Sequence, residues 1–149
     1  EEFIQITSLI KKYLPQASIT TDVIVGFPSE REEDFENTLC TINKSNLNNL
    51  HVFPYSVRPK TTAFYLKDHN SPEVIKSRSR ELNKISKLIT TKSMRNIIGK
   101  KRSILWEGKN MNSGLTEDYY RVIRKSVKLP NEYISKQKIK GLEKDKLYI

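Results

Sequence analysis

Two polar loops carry the residues of this chain best suited to chemistry. The first is Gly26-Phe27-Pro28-Ser29-Glu30, which closes the strand-like run Thr20-Thr21-Asp22-Val23-Ile24-Val25. A glycine at a strand end lets the backbone approach a ligand closely, and the start of a helix behind it favours a negative group. The second is Tyr55-Ser56-Val57-Arg58, which follows His51-Val52-Phe53-Pro54. Its hydroxyls suit polar groups, and Arg58 suits a bidentate pair with a carboxylate or phosphate. An ordinary strand–turn–helix junction has the same pattern, so the residues alone leave both readings open. Metal and nucleophile chemistry find no support. Cys40 is the one cysteine, set mid-helix beside Leu39 and read as a small buried hydrophobe, while His51 and His69 stand isolated.

The flanking periodicities supply elements to hold these loops. Phe3, Ile6, Leu9, Ile10, Tyr13 and Leu14 recur at helical spacing, and Pro15 ends the run. Ile19 to Gly26 is β-branched and apolar, which reads as a strand buried on both faces, as in a parallel sheet. Ser29 with Glu32 suggests a capping box for a helix whose apolar face is Phe35, Leu39 and Ile42. Leu47 to Tyr55 is the next strand. A strand–helix–strand unit of this kind brings both loops to the carboxyl edge of a parallel sheet, where such folds bind ligands.

Residues 57–70 read as a loop, and Ser71-Pro72 opens a long helix over 72–98 that Gly99 terminates. Beyond it the texture changes. Ser103–Glu107, Tyr119–Arg124, Tyr133–Ser135 and Lys138–Leu142 read as short strands, with a loop from Gly108 to Glu117, which predicts a small all-β domain. The expected division is therefore 1–99 and 100–149. Charge divides similarly: residues 1–71 carry net −2, 72–99 carry +5 and 100–149 carry +7, within a total of +10. A near-neutral front and a basic back suggest a scaffold or catalytic part joined to a part that faces a polyanion. No apolar run approaches the ~20 residues of a membrane helix. One cysteine and an acidic, non-signal-like start lead to the expectation of a cytoplasmic protein with no membrane partner.

Three segments in order carry a family resemblance. They are Thr21-Asp22-Val23-Ile24-Val25-Gly26-Phe27-Pro28, then His51-Val52-Phe53-Pro54-Tyr55-Ser56 with Arg58-Pro59-Lys60-Thr61-Thr62-Ala63, and Gly114-Leu115-Thr116-Glu117-Asp118-Tyr119-Tyr120-Arg121-Val122. Together they resemble the carboxyl-terminal part of radical S-adenosylmethionine methylthiotransferases. The resemblance implies an α/β fold: the end of a (β/α) partial TIM barrel, then a small OB-like TRAM barrel of five strands that holds RNA. It implies S-adenosylmethionine and [4Fe–4S] clusters as cofactors, held upstream by a Cys-x3-Cys-x2-Cys motif that this chain lacks. The missing amino-terminal part of the same enzyme is then a partner, and the fragment alone is inactive.

Carried onto this sequence, the resemblance makes Ile24, Val25, Gly26 and Tyr55 cofactor-binding and Ser56 and Arg58 substrate-binding. It makes Lys100, Lys101, Arg102, Tyr119, Tyr120, Arg121, Arg124 and Lys125 the RNA-binding set, while Trp106 reads as core. Ser29 and Lys60 stand where that family usually has glycine. The His51–Ser56 version of the strand is closest to the branch that methylthiolates N6-threonylcarbamoyladenosine in the tRNA anticodon stem-loop. The isopentenyladenosine branch, the ribosomal-protein branch and an inactive RNA-binding remnant are the alternatives.

Overall fold

The computed structural model describes residues 1–107, 111–125 and 133–149. The chain is mixed α/β and divides into two compact units, Glu1–Thr90 and Thr91–Ile149. In the first unit, helix α1 (Glu2–Tyr13) leads to strand β1 (Thr20–Val25), helix α2 (Glu32–Lys44) and strand β2 (Asn49–Pro54). A short 3-10 turn (Thr62–Tyr65) precedes the long helix α3 (Pro72–Arg95). β1 and β2 pair in parallel, with Thr21 opposite Leu50, Val23 opposite Val52 and Ile24 opposite Phe53. The core gathers Val25, Phe35, Ile42, Leu47, Leu50 and Leu82.

The expectation that β1 is buried on both faces does not hold. Val25 is fully buried, whereas Ile24 on the opposite face is 55% exposed, because helices cover only one side of this two-stranded sheet. Cys40 is also exposed rather than buried, on the outer face of α2. That helix starts two residues later than expected. Its N-cap is Arg31, whose N–H donates to Asp34 at 2.9 Å, and Ser29 lies instead in a turn at φ +67°. This backbone hydrogen bond, then the Arg31 side chain, hold the Asp34 carboxyl below its ordinary value. The folded-state value being the lower, this cap stabilises above the usual aspartate range and is lost as pH falls through the lowered value.

The loop after β1 is tied to α3 by one buried guanidinium. Arg78, 7% exposed, donates to the Glu30 carboxylate at 2.7 Å, to the Glu30 carbonyl at 3.1 Å and to Glu32 at 2.9 Å. Its guanidinium also lies 5.2 Å over the Phe35 ring. The same Glu30 oxygen accepts the Gly26 N–H at 2.6 Å. Burial works to lower the pKa of Arg78, and its hydrogen bonds to Glu32 and Glu30 overcome this and hold it above the ordinary value. Gly26 sits at φ +75°, and a Cβ there would lie 2.3 Å from Ile75 of α3. Only glycine allows that close approach.

The second unit is a six-stranded mixed sheet in the order β6-β3-β4-β5-β8-β7. Its strands are β3 (Lys101–Glu107), β4 (Ser113–Thr116), β5 (Arg121–Ile123), β6 (Ile134–Lys138), β7 (Gly141–Glu143) and β8 (Lys146–Tyr148). All neighbours are antiparallel except β5 and β8. Met94, Ile97, Ile104, Trp106, Tyr120, Val122, Ile139, Leu147 and Ile149 form the core. Trp106 is core as expected, its indole N–H donating to Ser135 at 2.8 Å.

Three boundaries differ from the sequence reading. α3 ends at Arg95 rather than 98, and the compact units part within α3, upstream of Gly99. Of the loop expected over 108–117, residues 108–110 lie outside the described residues and Ser113–Thr116 is a strand. β8, at three residues, is too short to show an alternation of its own, and the described residues form six strands where the resemblance implied five. Among the described residues no helix is long and apolar enough to cross a membrane.

Two predictions follow from backbone and clamp. Arg78→Ala strands a partly buried carboxylate and should cost about 3 kcal/mol in urea unfolding of the full chain; a loss below about 1 kcal/mol would show that the clamp is dispensable. Ser29 and Lys60 both adopt φ +67°, where a side chain is strained. Ser29→Gly and Lys60→Gly should each raise stability by about 0.5 kcal/mol, the relieved strain exceeding the added chain entropy. A fall in stability would mean that the native side chains favour these turns.

Candidate functional site

Both polar loops meet at one hollow in the first unit, of about 410 Å³. Its walls are built by strand alternation. Asp22 and Ile24 project from the uncovered face of β1, and Phe53, the register partner of Ile24, projects from β2. Phe27 closes it from the first loop, and Tyr55, Ser56 and Arg58 close it from the second. The Phe27 and Tyr55 rings meet edge to face at 5.3 Å, and the His69 ring lies 6.2 Å from that of Tyr55. The Tyr55 N–H donates to the Val25 carbonyl at 2.8 Å, which ties the second loop to the end of β1.

Apolar walls with a few polar groups at the rim suit a planar, partly polar ligand. The Tyr55 hydroxyl is buried and has no hydrogen-bond partner among the described residues. A buried hydroxyl left unpaired costs about 1–3 kcal/mol, which a ligand's polar group would recover. Arg58 is exposed at the mouth, free to meet an anionic group.

Ile24, Tyr55, Ser56 and Arg58 thus come together, and Val25 and Gly26 stand apart from them. Val25 is in the core, since neighbours on a strand face opposite ways. Gly26 spends its N–H on Glu30 and its missing side chain on packing against Ile75. Asp22, Phe27 and Phe53 were missed. The alternation Asp22–Ile24 would have found the first, had β1 been read with one open face. Among the described residues no group of three or more His, Cys, Asp or Glu could hold a metal ion, and the chain has one cysteine. An iron–sulfur cluster therefore does not fit the residues present.

The residues expected to bind RNA scatter over the second unit. Lys100, Lys101 and Tyr119 are exposed, Tyr119 at 83%. Arg121 and Lys125 are exposed but ion-paired, to Glu107 and Glu143. Arg124 is half-buried, its guanidinium 4.7 Å over the Trp106 ring. Two turn inward. Arg102 is buried and bonds Asp118 at 2.8 Å, because it shares the inner face with Ile104 and Trp106. Tyr120 is 6% exposed, in the core, where its N–H reaches Thr116. Neither can meet RNA from those positions.

No family model matches the chain. It is similar to proteins named tRNA-2-methylthio-N(6)-dimethylallyladenosine synthase. With that of Bacillus licheniformis it shares 37% identity over 113 residues, which is 76% of this chain and 22% of the relative. With that of Caldicellulosiruptor saccharolyticus it shares 34% over 137 residues, 91% of this chain and 29% of the relative. With that of Methylacidiphilum infernorum it shares 37% over 109 residues, 73% of this chain and 23% of the relative. The chain thus spans about a quarter of the length of the curated relatives it matches, and its homologues are tRNA methylthiotransferases.

Proposed function

We propose that residues 1–149 are the carboxyl-terminal part of a tRNA methylthiotransferase, in which the hollow takes an adenosine-type ligand and the basic unit holds the tRNA. The observation that carries this is the similarity to the named synthases over up to 91% of the chain. The first unit supports it: β1 and β2 are parallel, with one face uncovered, as the last strands of a partial barrel would be. In this reading Ile24 and Phe53 flank the adenine ring, and Tyr55 and Ser56 hydrogen-bond polar atoms. Arg58 pairs with a carboxylate or phosphate. S-adenosylmethionine supplies the methyl group and the radical chemistry when bound. The cluster ligands would come from outside residues 1–149, and the setting would be the cytoplasm.

The relatives' names favour dimethylallyladenosine as the nucleoside modified. The His51-Val52-Phe53-Pro54-Tyr55-Ser56 segment favours threonylcarbamoyladenosine, the second reading, in each case in the anticodon stem-loop.

A chimera tests this. Replacing the matching part of the Bacillus licheniformis synthase by this chain should give an enzyme that forms a 2-methylthio nucleoside in tRNA, read by mass spectrometry of digested tRNA. The mass of the product distinguishes the two nucleosides. Arg58→Ala in the chimera should lower kcat/KM at least tenfold, about 1.4 kcal/mol. A folded chimera with its clusters in place and no product would overturn the catalytic reading and leave an RNA-binding remnant.

A further inference from the structure

We propose that the outward face of β3 and β6 is where this chain seats unpaired RNA nucleotides. The proposal rests on the RNA-binding part of the function above and names a surface of which the sequence analysis marked only Lys101. Antiparallel pairing sets Lys101 opposite Lys138, Ser103 opposite Lys136 and Leu105 opposite Ile134. All six share one face, since the alternating residues Arg102, Ile104 and Trp106 are buried on the other. Lys101, Lys136 and Lys138 are exposed, and none has an ion-pair partner among the described residues. By contrast, the outward-facing Arg121 is paired with Glu107.

The face has two chemistries in register. At one end stand three ammonium groups with no ion-pair partner among the described residues, Lys136 and Lys138 about 7 Å apart along β6. At the other end stands an apolar pair in register, Leu105 at 47% exposure and Ile134 at 62%. β6 is an edge strand, and edge lysines also discourage strand-to-strand aggregation. That role leaves the apolar pair unexplained, because an exposed isoleucine on an edge strand, beside an exposed leucine, invites the contact that lysines deter. A strand of unpaired nucleotides uses both ends, its phosphates on the lysines and its apolar base faces on Ile134 and Leu105. A duplex hides its base faces by pairing and stacking and would use only the lysines.

The test uses the full chain with a fluorescein-labelled oligouridine of about twelve nucleotides and an RNA duplex of about the same length, titrated over a salt series. The unmodified chain should bind the single strand more tightly than the duplex. The variant K101A/K136A/K138A should lose at least tenfold in affinity for the single strand and about 2 in the slope of log K against log salt. K101R/K136R/K138R should retain both. L105S/I134S should lose affinity with its slope unchanged. A control of equal charge loss on α3, K76A/R80A/K84A, should stay within twofold of the unmodified chain.

If the unmodified chain binds the single strand while the lysine-to-alanine variant matches it within twofold, RNA binding stands and this face is not its seat. Equal loss in the control would likewise overturn the assignment, as would tighter binding of the duplex. If the unmodified chain binds neither RNA, the RNA reading itself falls.

Discussion

A buried guanidinium sets the geometry of the front unit. Arg78 can sit at 7% exposure only because Glu30 and Glu32 neutralise it and the face of Phe35 lies under it. Burial of an unpaired charge would cost several kcal/mol, so the arginine and its carboxylates must assemble together. Through Glu30 the constraint reaches the Gly26 N–H, and through Ile75 it reaches the Cα of the same glycine. The end of β1 is thereby fixed against α3, and with it the positions of Phe27 and, through the Val25 carbonyl, Tyr55. The hollow inherits its shape from a charge cluster on the opposite side of the sheet.

That dependence explains what could be read from the sequence and what could not. β1, α2 and β2 were legible because apolar periodicity dominates short, well-bounded segments, and α3 because Ser71-Pro72 marks its start and Gly99 lies just past its end. Arg78 belongs to no pattern that local periodicity or spacing picks out. Nothing local says that its partners lie more than forty positions away. Ser29 was read as a cap because its type and spacing from Glu32 suit one, yet the loop needs it at positive φ, and the cap passes to Arg31. Tertiary demand overrode local chemistry there.

In the second unit the difficulty was parity. A basic residue on a short strand can face either way, and the resemblance that placed Arg102 among the RNA contacts says nothing of its side of the sheet. Once Ile104 and Trp106 are known to be inside, Arg102 must be inside too, and Lys101 outside. The same alternation on β6 places Ile134, Lys136 and Lys138 together, which no motif suggested. The two units therefore do different physical work. One offers an apolar hollow with a few polar groups, and the other a sheet face whose lysines have no ion-pair partner among the described residues.

The central claim is that these residues belong to a larger tRNA-modifying enzyme whose clusters lie elsewhere. It is tested most directly by isolating the native polypeptide from its source cells with an antibody against residues 100–149, then measuring its mass, iron and sulfide. The account predicts a species several times heavier than the 17.4 kDa of this chain, carrying iron and sulfide. A 17.4 kDa species with neither, alone or with a partner, would contradict it.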